Sequence, residues 1–202
     1  MRVLGLVFSA RKRGNCLDSI EYVLARLMEN GFETEIVNVY DYEITPCSHC
    51  EYECFAQELR GKAEECPIHD DVPKIYDKMR NSDIIIMAVP TYGGKPASLY
   101  DAFRERAQTL ITKSYESFKS DILSKFVALI VIGNVSAGGD LAYHTVICDH
   151  LAFECAAPSI LLQSAEYAQR SIDGTLIKNK LVTSRLYCFT KLILKRWQER
   201  GR

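Results

Sequence analysis

The chain alternates short apolar blocks with segments of helical period. Val3-Leu-Gly-Leu-Val-Phe8 is an apolar run closed by Ser9 and Ala10, the pattern of a strand buried on both faces. From Asn15 to Asn30 the apolar positions Leu17, Ile20, Leu24, Leu27 and Met28 recur at helical spacing. Gly31 then supplies the stop expected just past a helix end. Thr34 to Val39 sets Glu35 and Asn38 against Ile36, Val37 and Val39, a second strand. Pro46 to His69 carries no period and reads as loop. Asp71 offers an N-cap, with Pro73 tolerated in the first turn, for a helix carried by Val72, Ile75, Tyr76 and Met79 to about Arg80. Asp83 to Val89 is the clearest buried strand. Pro90 to Lys95 is a turn-forming loop, and Pro96 or Ala97 opens a helix to about Ile111. Phe126 to Ile132 is another all-apolar strand, followed by the loop Gly133 to Gly139. A helix from Leu141 to about Cys155 leads to a shorter strand, Ser159 to Leu162. The chain closes on an amphipathic helix at about 178–200.

Five buried strands alternating with helices predict an α/β fold. The economical form is a doubly wound five-stranded parallel sheet with right-handed crossovers and strand order 2-1-3-4-5. The length of 202 residues suits a single domain over 1–202, with a cysteine-rich insertion at 46–70. Ligands of such sheets sit outside the carboxyl ends of the strands. Three loops are therefore expected to meet there: Ser9–Cys16, Pro90–Lys95 and Asn134–Gly139.

Composition narrows the function classes. A formal net charge of −1 argues against a general nucleic-acid or membrane-surface binder. No apolar run reaches the roughly 18 residues of a membrane span. At the start, Arg2 precedes only six apolar or glycine residues before a loop motif, so the segment reads as a strand with no targeting role, and the location expected is cytoplasmic. Of eight cysteines, Cys47, Cys50, Cys54 and Cys66 fall close together, which favours metal ligation or redox chemistry over a disulfide framework. Cys148, Cys155 and Cys188 lie on apolar patterns and are expected to be buried.

Ser9-Ala-Arg-Lys-Arg-Gly-Asn-Cys16 joins a buried strand to a helix, where unpaired backbone N–H groups and the helix dipole favour an anion. Ser9 can donate a hydroxyl, Arg11 and Arg13 bring charge, Gly14 allows close backbone approach, and Asn15 can donate or cap. Neither GxGxxG nor GxxxxGK[ST] is present, so a terminal monophosphate such as that of FMN is the fitting anion. A solvated basic turn is the plain alternative. In the second loop, Pro90, Thr91, Tyr92, Gly93 and Gly94 suit an ordinary strand-to-helix turn or a ligand-facing one. Asn134, Ser136, Gly138 and Gly139 form a third flexible loop, with His144 one helical turn beyond.

The cysteine spacing is Cys47-x2-Cys50-x3-Cys54-x11-Cys66-Pro67. Thiolate sets of this kind hold iron–sulfur clusters or zinc, with His49 and His69 available as further ligands. Free or redox-active thiols are the remaining option.

Ser9, Arg11, Gly14 and Asn15 match the GSPRxxGNT-type phosphate loop, which the chain resembles, of the NADPH-dependent FMN reductase and iron–sulfur flavoprotein families. Cys16 stands where a hydroxyl residue usually follows. The likeness extends through Cys47–Asp71, through Val89–Ser98 (similar to a SPVYxGxxSA segment) and through Gly133–Gly139, roughly residues 1 to 165. It implies a flavodoxin-like, FMN-binding oxidoreductase. The Ser9–Cys16 loop would hold the phosphate, and Pro90–Gly94 with Asn134, Gly138 and Gly139 would line the ring. Cys47, Cys50, Cys54 and Cys66 would be the ligands of a [4Fe–4S] cluster, although the second and third gaps here are longer than the family's usual ones. Electrons would pass from NAD(P)H or a ferredoxin-like donor to a flavin, quinone or protein acceptor, with a homodimer or homotetramer expected. No side chain stands out as a general acid. The rivals are a non-catalytic flavodoxin-type carrier and a flavin-free zinc-binding protein.

Three other features have plain readings. Asp70-Asp71 is expected to cap the following helix, and Arg104 and Arg106 to lie on a solvated helix face. The stripe Leu181, Leu186, Phe189, Leu192, Ile193 and Trp197 is expected to dock on the sheet, or else to form a dimer contact.

Overall fold

A computed structural model describes residues 1–48, 66–107, 115–134, 136–150 and 155–200. The elements run β1 (Arg2–Val7), α1 (Asn15–Glu29), β2 (Glu33–Asn38), α2 (Val72–Arg80), β3 (Ile84–Tyr92), β4 (Lys95–Pro96), α3 (Ser98–Glu105), α4 (Tyr115–Phe118), β5 (Phe126–Gly133), α5 (Ser136–Asp149), β6 (Cys155–Gln163) and α6 (Lys180–Arg200). The sheet order is β2-β1-β3-β5-β6, all parallel, while β4 pairs antiparallel with the end of β3 alone. This is the expected 2-1-3-4-5 order, the two-residue β4 taking a number of its own.

Strand alternation divides the core into two layers. Val3, Val7, Ile84, Ile86, Phe126, Ile130 and Leu162 face α1 and α6, meeting Ile20, Leu24 and Leu27 on one and Val182, Leu186, Phe189 and Ile193 on the other. Leu4, Leu6, Ile85, Met87, Val127, Leu129 and Val131 face the opposite way, onto Ile75 and Met79 of α2, Tyr100 and Phe103 of α3, and Val146 of α5. Both faces of the central strands are covered, as their unbroken apolar runs require.

The structure departs from the sequence reading in ways that bear on the site. α5 starts at Ser136, so Gly138 and Gly139 sit in its first turn and not in a loop. Glycine costs about 1 kcal/mol in a helix, which is why the pattern placed the start later. β6 starts at Cys155, ahead of the expected Ser159, because Pro158 is accommodated on this edge strand at a register shift between Val127 and Leu129 of the neighbour. The helix expected to reach Ile111 is α3, which ends at Glu105; residues 108–114 lie outside the described residues.

Arg106 is not on a solvated face. It is 4% exposed and turns inward to Asp70. Asp71 makes no side-chain capping bond to α2; Asp70 Oδ1 takes the Val72 N–H at 3.1 Å instead. Cys148 and Cys188 are exposed, not buried, because the inward stripes pass through Val146 on α5 and through Leu186, Phe189 and Ile193 on α6. The side chain of Cys155 lies outside the described residues. On α6, Leu181 and Leu192 point outward at 65% and 41% exposure, while Leu186, Phe189 and Ile193 dock on the sheet.

Candidate functional site

β1 carries the chain to Phe8, whose N–H bonds Ala88 O at 2.9 Å, and releases it at the carboxyl edge. Ser9 is buried, and its Oγ accepts the Arg11 N–H at 3.2 Å. No side chain caps α1 at Gly14, and Asn15 and Cys16 enter the helix buried at 2% and 4% exposure. The first-turn N–H groups thus open the helix without a capping oxygen, with the positive end of the dipole behind them. Burial pushes the Cys16 thiol up to about 12, against the opposing pull of Arg11, so it stays protonated at neutral pH. Burial also raises Asp18, one turn into the helix, against Arg13 and Arg11.

A fourth segment, absent from the sequence reading, lies across this loop. Arg11 donates from Nη1 to Ile172 O at 2.9 Å and from Nη2 to Ser171 O at 3.1 Å. Asn15 donates from Nδ2 to Ser171 O at 2.9 Å and accepts the Leu176 N–H on Oδ1 at 3.1 Å. A Cβ on Gly174 would sit 3.7 Å from the Gly14 Cα. Asn134 reaches the same strap: its Oδ1 accepts from Ser164 Oγ at 2.9 Å and from the Ser171 N–H at 3.2 Å. Ser171 therefore joins the loops after β1 and β5 through its own main chain. The available signal was the run Gln169–Asp173, polar but for Ile172 and followed by Gly174, between the last strand and the last helix.

The other two loops meet through glycine. Pro90 closes the buried part of β3, and Ala97 N–H returns to its carbonyl at 3.0 Å. Thr91 and Tyr92 pair with Pro96 and Lys95, and Gly93 and Gly94 turn the hairpin at φ 55° and 80°, in the left-handed region. A Cβ on Gly138 would lie 3.1 Å from Gly94 N and 3.2 Å from Gly94 Cα, so the first turn of α5 rests directly on the hairpin backbone. Gly133 approaches Thr91 Oγ1 and Gly139 in the same way, and Gly139 abuts Gln163 at the end of β6. Tyr92 stands out at 54% exposure; Arg13 and His144 are also exposed. The three expected loops are thus brought together, with Arg13 and Tyr92 at the rim.

Cys47 and Cys66 are half-buried, and His69 is exposed. Cys50, Cys54 and His49 lie outside the described residues. Among the described residues no three His, Cys, Asp or Glu side chains gather as a metal site, and no helix is long and apolar enough to cross a membrane.

Sheet order, helix placement and the loops gathered at the carboxyl edge define a flavodoxin-like α/β protein. A family profile described as NADPH-dependent FMN reductase matches residues 1–159. An iron–sulfur flavoprotein of Archaeoglobus fulgidus is 30% identical over 149 residues, 72% of this chain and 69% of that one. Another, of Methanosarcina thermophila, is 33% identical over 139 residues, 69% of this chain and 66% of that one. The chain thus spans about two thirds of the length of these relatives. Among solved structures, an apo NADH:FMN oxidoreductase superposes with a TM-score of 0.60 at 14% identity, covering 98% of this chain and 89% of that one. An FMN-dependent NADH-azoreductase of Bacillus anthracis in complex with FMN gives 0.63 at 9% identity, covering 94% and 100%. At those identities the superpositions speak to the fold. The chain belongs to the NADPH-dependent FMN reductase family. It is accordingly an NAD(P)H-dependent flavin oxidoreductase.

Proposed function

We propose that the chain binds FMN across this edge and passes electrons from NAD(P)H, or from a ferredoxin-like donor, to a flavin, quinone or protein acceptor. Cys47, Cys50, Cys54 and Cys66 are read as ligands of a [4Fe–4S] cluster, in keeping with the names of the two relatives. The observation that carries the FMN reading is the uncapped, buried start of α1, with Arg11 before it and Asn15 as its first residue, at the same sheet edge where the Gly93–Gly94 hairpin meets the first turn of α5 in backbone contact.

The residues fit a terminal phosphate. Ser9, Gly14, Asn15 and the first-turn N–H groups offer donors, while Arg11 and Arg13 bring charge. Cys16, protonated through burial, adds at most a weak S–H donor. Pro90 to Gly94 and Asn134, Gly138 and Gly139 would border the ring, and glycine N–H groups there can stabilise negative charge on its carbonyl side. Bound FMN supplies two-electron acceptance from a hydride donor and one-electron release; the protein supplies position and potential. Tyr92, at the exposed rim, can pack beside the ring where the donor enters.

The test is an absorption spectrum of anaerobically purified protein with metal analysis. Flavin bands near roughly 375 and 450 nm are expected, with about four irons per chain for the cluster. Protein that stays colourless after incubation with FMN would sink the reading. Fast reduction by NAD(P)H with turnover of quinone or free flavin distinguishes the enzyme from a flavodoxin-type carrier. Zinc in place of iron would reassign the cysteines.

A further inference from the structure

Among the described residues, Arg106 and Asp70 form a deeply buried ion pair outside the candidate flavin site. The Arg106 side chain is 3% exposed and that of Asp70 is 0% exposed. The guanidinium grips Asp70 with both arms, Nη1 to Oδ2 at 2.5 Å and Nη2 to Oδ1 at 3.3 Å. The same arms donate to two carbonyls, Thr45 O at 2.9 Å and Ile68 O at 3.3 Å. Those carbonyls belong to opposite limbs of the cysteine segment.

The limbs are also bonded to one another. Asp70 Oδ2 accepts the Thr45 N–H at 2.9 Å, Asp71 Oδ2 accepts the Glu43 N–H at 2.9 Å, and the Asp71 N–H donates to Glu43 O at 2.9 Å. Cys47 follows Thr45 by two residues and Cys66 precedes Ile68 by two. Two residues reach at most about 7 Å, so the first and last cysteines hang on short tethers from one buried clasp. A buried ion pair adds little net stability compared with apolar residues of the same size. Its fork geometry does fix relative position, which a lysine, a single point charge, would do only in part.

We infer that Arg106 is a positioning residue for Cys47 and Cys66: it locks the two limbs at their root, so that these two thiols are held by the protein before any metal arrives. The inference rests on the reading of these cysteines as a ligand set, but its first readout needs no metal. Closing the segment is then part of folding and is not charged to metal binding. Partners that orient ligands in this way change metal affinity by about 10- to 100-fold when removed.

The test compares full-length wild type with Arg106→Met, Arg106→Lys and the charge-neutral pair Arg106→Met/Asp70→Asn. The double variant avoids stranding a buried carboxylate if the single one folds poorly. Metal-free protein is labelled with a maleimide, and each cysteine is followed by peptide mass spectrometry. Cys47 and Cys66 should react several-fold faster in both methionine variants, with partial recovery in Arg106→Lys, while Cys148 and Cys188 keep their rates. In iron-loaded protein, retention against a chelator should weaken by about 10- to 100-fold, with FMN affinity unchanged. Unchanged rates at Cys47 and Cys66 in folded variants overturn the inference. So does an equal rise at all four thiols, which would make Arg106 a general stabiliser. If the wild type takes up neither iron nor zinc, the ligand-set reading fails, and the thiol rates still judge the clasp.

Discussion

Alanine at position 15 and alanine at position 11 should separate the two tasks of the loop after β1. Asn15 is 2% exposed, and its amide closes two bonds to the strap, to Ser171 O and from the Leu176 N–H. Leu176 is fully buried, so Asn15→Ala leaves that N–H without an acceptor, at about 1–3 kcal/mol. Ser171 O loses less, since Arg11 Nη2 still donates to it at 3.1 Å. A net loss near 2 kcal/mol corresponds to a fall of about 4–8 °C in Tm for a chain of this size. Arg11→Ala removes bonds to two carbonyls from an exposed side chain, and water can replace them, so its loss should stay below about 1 kcal/mol. Its effect on FMN runs the other way. A charge-assisted contact to phosphate is worth about 1.5–3 kcal/mol, or roughly 10- to 150-fold in Kd. Thermal melts of FMN-free protein and fluorescence titration with FMN read the two effects separately. Asn15→Ala should be the less stable variant and Arg11→Ala at least as poor a binder. A wild-type Tm for Asn15→Ala would refute the strap bonds; wild-type affinity in both variants, and in the double variant, would refute the phosphate site.

Four further changes have definite outcomes. Cys16 is raised from 9.0 to about 12 by burial, so its contribution is full below about pH 9. As pH rises from there toward 12 the unfolded chain ionises first, and stability falls by about 1 kcal/mol per pH unit. Cys16→Ser should lose that alkaline slope in urea melts between about pH 8 and 10.5 and, by supplying a hydroxyl donor, tighten FMN by up to about tenfold. Equal slopes would contradict the buried thiol. Gly138→Ala drives a Cβ to 3.1 Å from Gly94 N, where only main chain can yield, at about 1–3 kcal/mol and with weaker FMN binding. Gly31→Ala, at φ +84° with open space around it, should cost about 1–2 kcal/mol and leave FMN binding alone; equal FMN losses in the two would argue against the hairpin contact. Stripping iron with a chelator should leave the flavin affinity intact, because no cysteine of the set lies in the three loops; release of FMN on chelation would join the two sites.

The central strands were legible because their apolar runs have no competing interpretation: Ile84 to Val89 and Phe126 to Ile132 are buried on both faces and occur as read. The α5 start was not, because helix propensity penalises Gly138 and Gly139, whereas the fold needs their missing side chains where α5 meets the hairpin. Ser171 was invisible for a different reason. It acts through its main-chain N–H and carbonyl, which any residue possesses, so nothing in its side chain marks it. Arg106 looked like one more cation on a helix face; only the return of the chain at Asp70, far along the sequence, turns it inward. Cys148 and Cys188 were misread because cysteine counts as apolar in a periodic pattern yet tolerates exposure.

Two of these misses, Gly138–Gly139 and Ser171, matter for the chemistry. The site is built largely from main-chain groups: uncapped helix N–H groups, strap carbonyls and glycine contacts. A flavin asks for that kind of environment, since hydride transfer needs a held ring and stabilised charge more than a side-chain acid. The bonds of Ser171 to Arg11 and Asn15 on one side and to Asn134 on the other make the loops mechanically continuous. Under the proposed reading, phosphate binding would draw Arg11 and Asn15 from neutral carbonyls toward a charged acceptor, which accepts more strongly. The strap, and through it Asn134, would then respond to occupancy of the phosphate end. Under that reading, affinity for FMN and the setting of the loop after β5 would be a single property of this edge, and substitutions at Asn134 should appear at the phosphate.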